Sequence, residues 1–335
     1  MIAPMRKLYF LLPGTKGKYG GGGLWAELAT RDLAQQICET AIVTYRQQES
    51  EHLFLTELLP ECDPQSAMFI IGWGFDVPKI IKQLQGQNVI YHAHSANYGF
   101  RLPGSIPIIT VSRNTMGYWG QQAANGLIYY LPNQIDDRFR NLGQKRDIDI
   151  LVQTRKSSKY LLQQLVPALQ SRYRVELVDS YVPDLAALFN RSQIYLYDSA
   201  EYWAINGVTE GFGLPPLEAL ACGCTVFSSV NHGLSDFLDP GFNCYKIAGY
   251  SLDYDLNRIE GVLASGSLRP MPEACLATYR PANLTTRLKV ILEEIDRFFD
   301  YRSGLPNNIP SLNPQRLIQL KMQTAIAKMA RKLQR

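Results

Sequence analysis

Short apolar runs alternate with stretches of helical spacing from one end of the chain to the other. The first run, Lys7 to Leu12, ends at Pro13-Gly14 and is expected to be a buried strand. Leu24, Leu28, Leu33 and Ile37 then recur at the helical period. Strands are expected at Ala41 to Tyr45, Leu53 to Leu55 and Met68 to Ile71, followed by a helix over Val77 to Leu84. Further strands are expected at Asn88 to Ala93, Ile106 to Val111 and Leu127 to Leu131, with a helix around Thr115 to Ala124. Regular strand–helix alternation predicts an α/β fold, a parallel sheet with helices on both faces. Ligands of such sheets bind beyond the carboxyl ends of the strands. Here those ends carry Gly14, Gly72, His94 and Ser112.

The polar segment Asp136 to Asp147, with Gly143 inside it, interrupts the series and reads as a linker. A second series follows. Strands are expected at Ile148 to Val152, Arg174 to Val178, Ile194 to Asp198, Thr225 to Ser229 and Asn243 to Ile247, with helices at Leu161 to Leu169 and Asp184 to Phe189. A chain of 335 residues exceeds one ordinary core, so two domains are expected. The division is 1–135, a linker over 136–147, 148–300, and a basic linker with an amphipathic helix over 301–335.

The most informative stretch is Thr209 to Ser229. Glu210 and Glu218 bracket a turn in which Gly211 and Gly213 let the backbone bend and approach a ligand. Pro215 and Pro216 suit the first turn of a helix and forbid a continuous one from Glu210 to Glu218. The free N–H groups at that helix start suit an anion such as a phosphate. A second phosphate-cradle candidate is the loop Thr15 to Gly23, with Lys16, Lys18 and the glycines Gly20 to Gly23 between strand and helix. A flexible surface loop is its plain alternative, and a strand–helix turn of some other α/β protein is that of the first stretch.

Glu210-Gly211-Phe212-Gly213-Leu214-Pro215-Pro216-Leu217-Glu218-Ala219 closely resembles the Glu-x7-Glu signature of the retaining, nucleotide-sugar-dependent glycosyltransferases of the GT-B fold. That resemblance implies two facing Rossmann-like domains with a cleft between them. It implies that Glu218 holds the ribose hydroxyls, that Glu210 holds the donor-sugar hydroxyls, and that the N–H groups of Phe212, Gly213 and Leu214 meet sugar or phosphate. Gly22 and Gly23 would lie near the donor diphosphate and acceptor. Tyr91-His92-Ala93-His94-Ser95 resembles the family's strand end, which places His94 near the donor sugar. Arg155 and Lys159 are the best matches to the family's diphosphate clamp, although Thr154 and Tyr160 replace glycines and the spacing is one residue short. Gln134 likewise replaces a usual glycine in Leu131-Pro132-Asn133-Gln134-Ile135-Asp136. Ser199 to Val208 makes a longer approach to the signature than usual, as an acceptor-side lid or an inserted surface loop.

The implied reaction moves a sugar from a nucleotide-diphosphate sugar to a glycan, lipid or small-molecule acceptor, in polysaccharide or cell-envelope glycan synthesis. It requires charge stabilisation on the departing diphosphate and no protein nucleophile, a double displacement on Glu210 being the chemical alternative. No cofactor, metal or nucleic acid is expected. His92-x-His94 could hold a metal, but the sequence offers no third ligand, and the Asp-x-Asp pairs at Asp147–Asp149 and Asp253–Asp255 are taken as chance. Two other classes stay open: a sugar-nucleotide epimerase or hydrolase on the same fold, and a non-catalytic nucleotide-sugar-binding protein.

No apolar run is long enough to span a membrane, and the first residues lack a signal peptide's features. The six scattered cysteines read as reduced thiols, and the expected location is the cytoplasm. The formal charge of +4 is uneven. From Tyr301 onward there are seven basic residues and no acidic one, so the remainder is slightly acidic in sum. In that region Ile318, Met322, Ile326, Met329 and Leu333 form one apolar stripe. The helix is expected to pack against the body, as chains of this fold often end with a helix crossing back to the first domain. An anionic membrane surface, giving a peripheral contact, is the alternative.

Overall fold

The structure is a computed structural model and describes residues 5–265 and 271–333. The first domain runs β1 (Lys7–Leu12), α1 (Gly22–Ala34), β2 (Thr40–Thr44), β3 (Leu53–Phe54), α2 (Leu55–Leu58), β4 (Ala67–Ile71), α3 (Val77–Gln83), β5 (Val89–Ala93), β6 (Ile108–Thr110), α4 (Arg113–Gln122) and β7 (Ile128–Tyr130). The second runs β8 (Ile148–Gln153), α5 (Val166–Gln170), β9 (Val175–Val178), α6 (Leu185–Arg191), β10 (Ser192–Tyr197), α7 (Ala200–Asn206), α8 (Leu214–Ala221), β11 (Thr225–Ser228), β12 (Cys244–Lys246), α9 (Leu252–Ser265) and α10 (Glu273–Leu276). Two long helices follow, α11 (Pro281–Gly304) and α12 (Pro314–Leu333).

All strand pairs are parallel. The first sheet has the order β3-β2-β1-β4-β5-β6-β7 and the second β12-β11-β10-β8-β9. The order therefore reverses between β1 and β4, and between β8 and β10. Crevices form at such switch points beyond the carboxyl ends of the strands.

Side chains alternate between the faces of each sheet, as a period of two requires. In the first sheet Tyr9, Leu11, Phe69 and Ile71 enter one core, while Leu8, Phe10, Met68 and Ile70 enter another. In the second, Leu151, Tyr195 and Val226 face one way and Ile150, Val152, Ile194 and Phe227 the other.

Two expectations about the last helices are corrected. The helix beginning at Pro281, grouped by sequence with the second domain, buries Leu284, Leu288, Ile291, Leu292, Ile295 and Phe299 in the core under β1, β4 and β5 of the first sheet. Buried Arg6 pins it through Asp296 at 2.6 Å. Helix α12, expected to pack on the body, instead leaves Ile318, Met322, Ile326 and Met329 exposed. Helical spacing reveals an apolar face but not what covers it.

The linker region carries no regular element and is tied down by side chains. Arg146 donates to the carbonyls of Phe189 and Cys222, and Leu142 N–H donates to Asn190 Oδ1 at 2.8 Å. All six cysteines are free thiols, and burial pushes Cys222 and Cys224 up to about 12.

Candidate functional site

The signature folds as strand end, turn and helix. Gly213 has φ of 86°, a left-handed value that glycine adopts without strain, and a Cβ there would run into the Leu234 side chain. Helix α8 begins at the next residue with Pro215 and Pro216 in its first turn. Glu210, before the turn, is buried. Its Oε2 accepts from Tyr197 Oη at 2.6 Å and from Trp203 Nε1 at 2.7 Å. The long approach Ser199 to Val208 contains α7, and Trp203 on α7 reaches Glu210. Glu218 lies in the second turn of α8 and is partly buried. Burial pushes its carboxyl up to about 7, Arg138 opposing the rise and Asp136 adding to it.

A cavity of about 360 Å³ opens between the two domains. The signature contributes Glu210, Gly211, Phe212, Gly213, Leu214 and Pro215 to its wall. Gly22 and Gly23 at the start of α1, and His94 after β5, face them from the first domain. Glu218 lies outside this lining, deeper in α8.

Of the expected clamp, Arg155 lines the cavity and Lys159 does not. Lys159 is exposed, and its backbone N–H is directed at Glu201. Lys156 takes the place expected of Lys159. It has φ of 65° in the turn after β8, lines the cavity, and sets its ammonium 4.4 Å from the Trp203 ring centroid. The sequence signal for it was present, since Lys156 adjoins Arg155, but the family spacing pointed beyond it.

A buried cluster supports His94. Glu27, on α1, is 2 % exposed, and its Oε2 accepts from His92 Nδ1 at 2.7 Å and from His94 Nε2 at 2.5 Å. Burial favours the neutral acid, but the two imidazoles overcome it and hold the Glu27 carboxyl well below the usual range. Burial and the neighbouring His92 lower the pKa of His94, against the pull of Glu27. A neutral His94 donating through Nε2 keeps Nδ1 as a hydrogen-bond acceptor. Gly72 makes room for this cluster, because a Cβ there would crowd the Glu27 carboxylate. The ligating atoms of Glu27, His92 and His94 lie within 4.8 Å of one another, so Glu27 is the third candidate metal ligand that the sequence did not reveal. It sits 65 residues before His92, where spacing carries no signal.

A second cavity of about 250 Å³ adjoins the first and shares Gly23, His94 and Tyr98 with it. Trp73, Phe75 and Tyr98 supply its aromatic walls.

Residues 140–272 match the family model Glycosyl transferases group 1. That match spans the strands and the signature helix of the second domain. No curated protein matches the chain. Among solved structures, a glycosyltransferase from Rickettsia africae superposes with a TM-score of 0.62 at 11 % identity, over 87 % of this chain and 98 % of that one. The pneumococcal O-GlcNAc transferase GtfA, in complex with UDP and GlcNAc, gives 0.61 at 9 %, over 87 % and 99 %. HepE of Anabaena, in complex with UDP-glucose, gives 0.54 at 15 %, over 89 % and 100 %. The fold is GT-B: two parallel α/β domains with the candidate site between them.

Proposed function

We propose that the protein is a glycosyltransferase that moves a sugar from a nucleotide-diphosphate sugar to an acceptor, retaining the anomeric configuration. The observation that carries this reading is Glu210, buried at the cavity wall with one oxygen engaged by Tyr197 and Trp203, beside the start of α8. The donor sugar takes the space between Glu210 and His94. The diphosphate takes the start of α8 with Arg155 and Lys156, where backbone N–H groups and two cations oppose the charge that grows on the leaving group. Glu218 holds the ribose. The acceptor enters through the aromatic-walled cavity and reaches the donor at His94, which both cavities share.

HepE in its UDP-glucose complex and GtfA in its UDP complex make UDP-sugars the first donors to try. The test is incubation with UDP-glucose and UDP-N-acetylglucosamine over a panel of sugar acceptors, following release of UDP and the configuration of the product by NMR. Product with the donor's own anomeric configuration supports the reading. Inverted product, or free sugar or an epimer in place of a glycoside, contradicts it.

A further inference from the structure

Nine of the 21 exposed large apolar side chains among the described residues lie between Tyr301 and Met329, within about a tenth of the chain. Scattered exposed apolar residues need no explanation, but such a concentration does. Along α12, Ile318, Met322, Ile326 and Met329 stand 59 %, 61 %, 64 % and 67 % exposed. Their steps of four, four and three residues put them on one side of the helix. At about 100° per residue, Lys321 and Lys328 fall along one edge of that stripe. No aspartate or glutamate occurs after Asp300.

We infer that α12 is a docking element for an anionic lipid surface, laid flat with its stripe in the interface and its cations at the headgroups. Charge complementarity selects this occupant. A second copy of the helix would bring basic faces together with no carboxylate to pair them. A spanning role is excluded by the helix itself, since no helix of the described residues is long and apolar enough to cross a membrane.

The way the segment leaves the body fixes what docking does. Arg302 donates to Ser105 O at 3.1 Å and to Asn88 Oδ1 at 2.8 Å, and Asn125 Nδ2 donates to Pro310 O at 2.8 Å. Asn88, Ser105 and Asn125 precede β5, β6 and β7, at the amino ends of the strands. The candidate site lies at the carboxyl ends. Helix α12 therefore acts as a tether that holds the protein at a surface and leaves the cleft open.

The test is co-sedimentation of the full chain with vesicles of phosphatidylcholine, with and without phosphatidylglycerol. Three variants accompany it: Lys321→Glu with Lys328→Glu, Ile318→Ser with Met322→Ser and Ile326→Ser, and a chain ending at Pro310. All three should keep the wild-type melting temperature, because α12 adds nothing to the described cores. Binding is expected only with phosphatidylglycerol, is expected to fall at least tenfold in every variant, and is expected to weaken with salt. Equal pelleting of the full and shortened chains, or no pelleting of the full chain with phosphatidylglycerol, overturns the inference. So does a dimer of the full chain in sedimentation velocity that the shortened chain loses, which would assign the stripe to a second copy.

Discussion

The carbonyl oxygen of His94 lies against the Cα of Gly211, so closely that a Cβ on Gly211 would overlap it. His94 belongs to the first domain and Gly211 to the second, so the domains meet at backbone. Hydrogen bonds continue the seam: Ser95 Oγ donates to Thr209 O at 2.7 Å, and Ala96 N–H donates to Thr209 Oγ1 at 3.0 Å. Across the cleft, Arg113 N–H at the start of α4 donates to Asp236 Oδ2 at 2.8 Å. Gly211→Ala is expected to hold the domains apart and lower kcat/KM at least tenfold, since about 1 Å of misplacement costs up to ~100-fold. Ser95→Ala removes hydrogen bonds worth about 1 kcal/mol each and is expected to do less. Kinetics with small-angle scattering checks this: Gly211→Ala should increase the radius of gyration and Ser95→Ala should not.

Lys156, not Lys159, is the cation expected to oppose charge on the leaving diphosphate. Lys156→Ala is expected to lower kcat/KM by about 100-fold, the order found when one stabilising donor is removed. Lys159→Ala is expected to stay within about twofold, because its side chain is exposed outside the cavity. Equal losses in the two variants would contradict this assignment.

The sequence revealed the fold well because its strands are short, largely apolar runs, three of them stopped at once by Pro13, Gly72 and Pro132. Each expected strand from Lys7 to Ile247 has a counterpart within a residue or two of its expected limits. The signature turn was equally legible, since Gly213 and the two prolines act locally. What depended on packing was not. Glu27 reads as one polar residue on a helix until β5 brings His92 and His94 to it. Trp203 reads as a loop aromatic until α7 turns it toward Glu210. The stripes of α11 and α12 look alike in sequence, yet α11 is buried on the first sheet and α12 is exposed.

Glu27 is hydrogen-bonded to His94 and is expected to position it. Glu27→Gln removes the negative charge that favours protonated imidazole, so the pKa of His94 is expected to fall further. A drop in kcat of about tenfold to 100-fold should accompany it, with a smaller change in donor KM. NMR titration of the His94 ring and steady-state kinetics check both. Two hydrogen bonds from His92 and His94 engage Glu27 Oε2, while Glu27 Oε1 and His92 Nε2 are buried without a hydrogen-bond partner; EDTA is expected to leave wild-type activity unchanged. Inactivation by EDTA with rescue by a divalent ion would assign a metal to Glu27, His92 and His94.

Glu218 makes stability fall with rising pH. Its carboxyl rises from 4.5 in the unfolded chain to about 7 in the folded one, mainly through burial. The folded state therefore holds the proton more tightly, and its advantage is lost as pH climbs from 4.5 through about 7. A tenfold difference in proton affinity between the two states is worth about 1.4 kcal/mol, so the loss is at most on the order of 3 kcal/mol. Glu218→Gln is expected to flatten this slope and to exceed wild type in stability at alkaline pH but not near the low end of the window. Urea denaturation at several pH values tests it, and parallel curves for the two proteins would contradict it.

The most direct measurement is thermal denaturation with UDP, GDP, ADP, dTDP and CMP and their sugars, on wild type, Glu218→Ala and Glu210→Ala. A ligand at about 100 times its Kd stabilises by about 2.7 kcal/mol, which raises Tm by a few degrees. One nucleotide class is expected to shift wild type. The shift from the bare nucleotide should collapse in Glu218→Ala, and the extra shift from the sugar should collapse in Glu210→Ala. No shift with any donor, or shifts that survive both substitutions, would contradict a nucleotide-sugar site at this cleft.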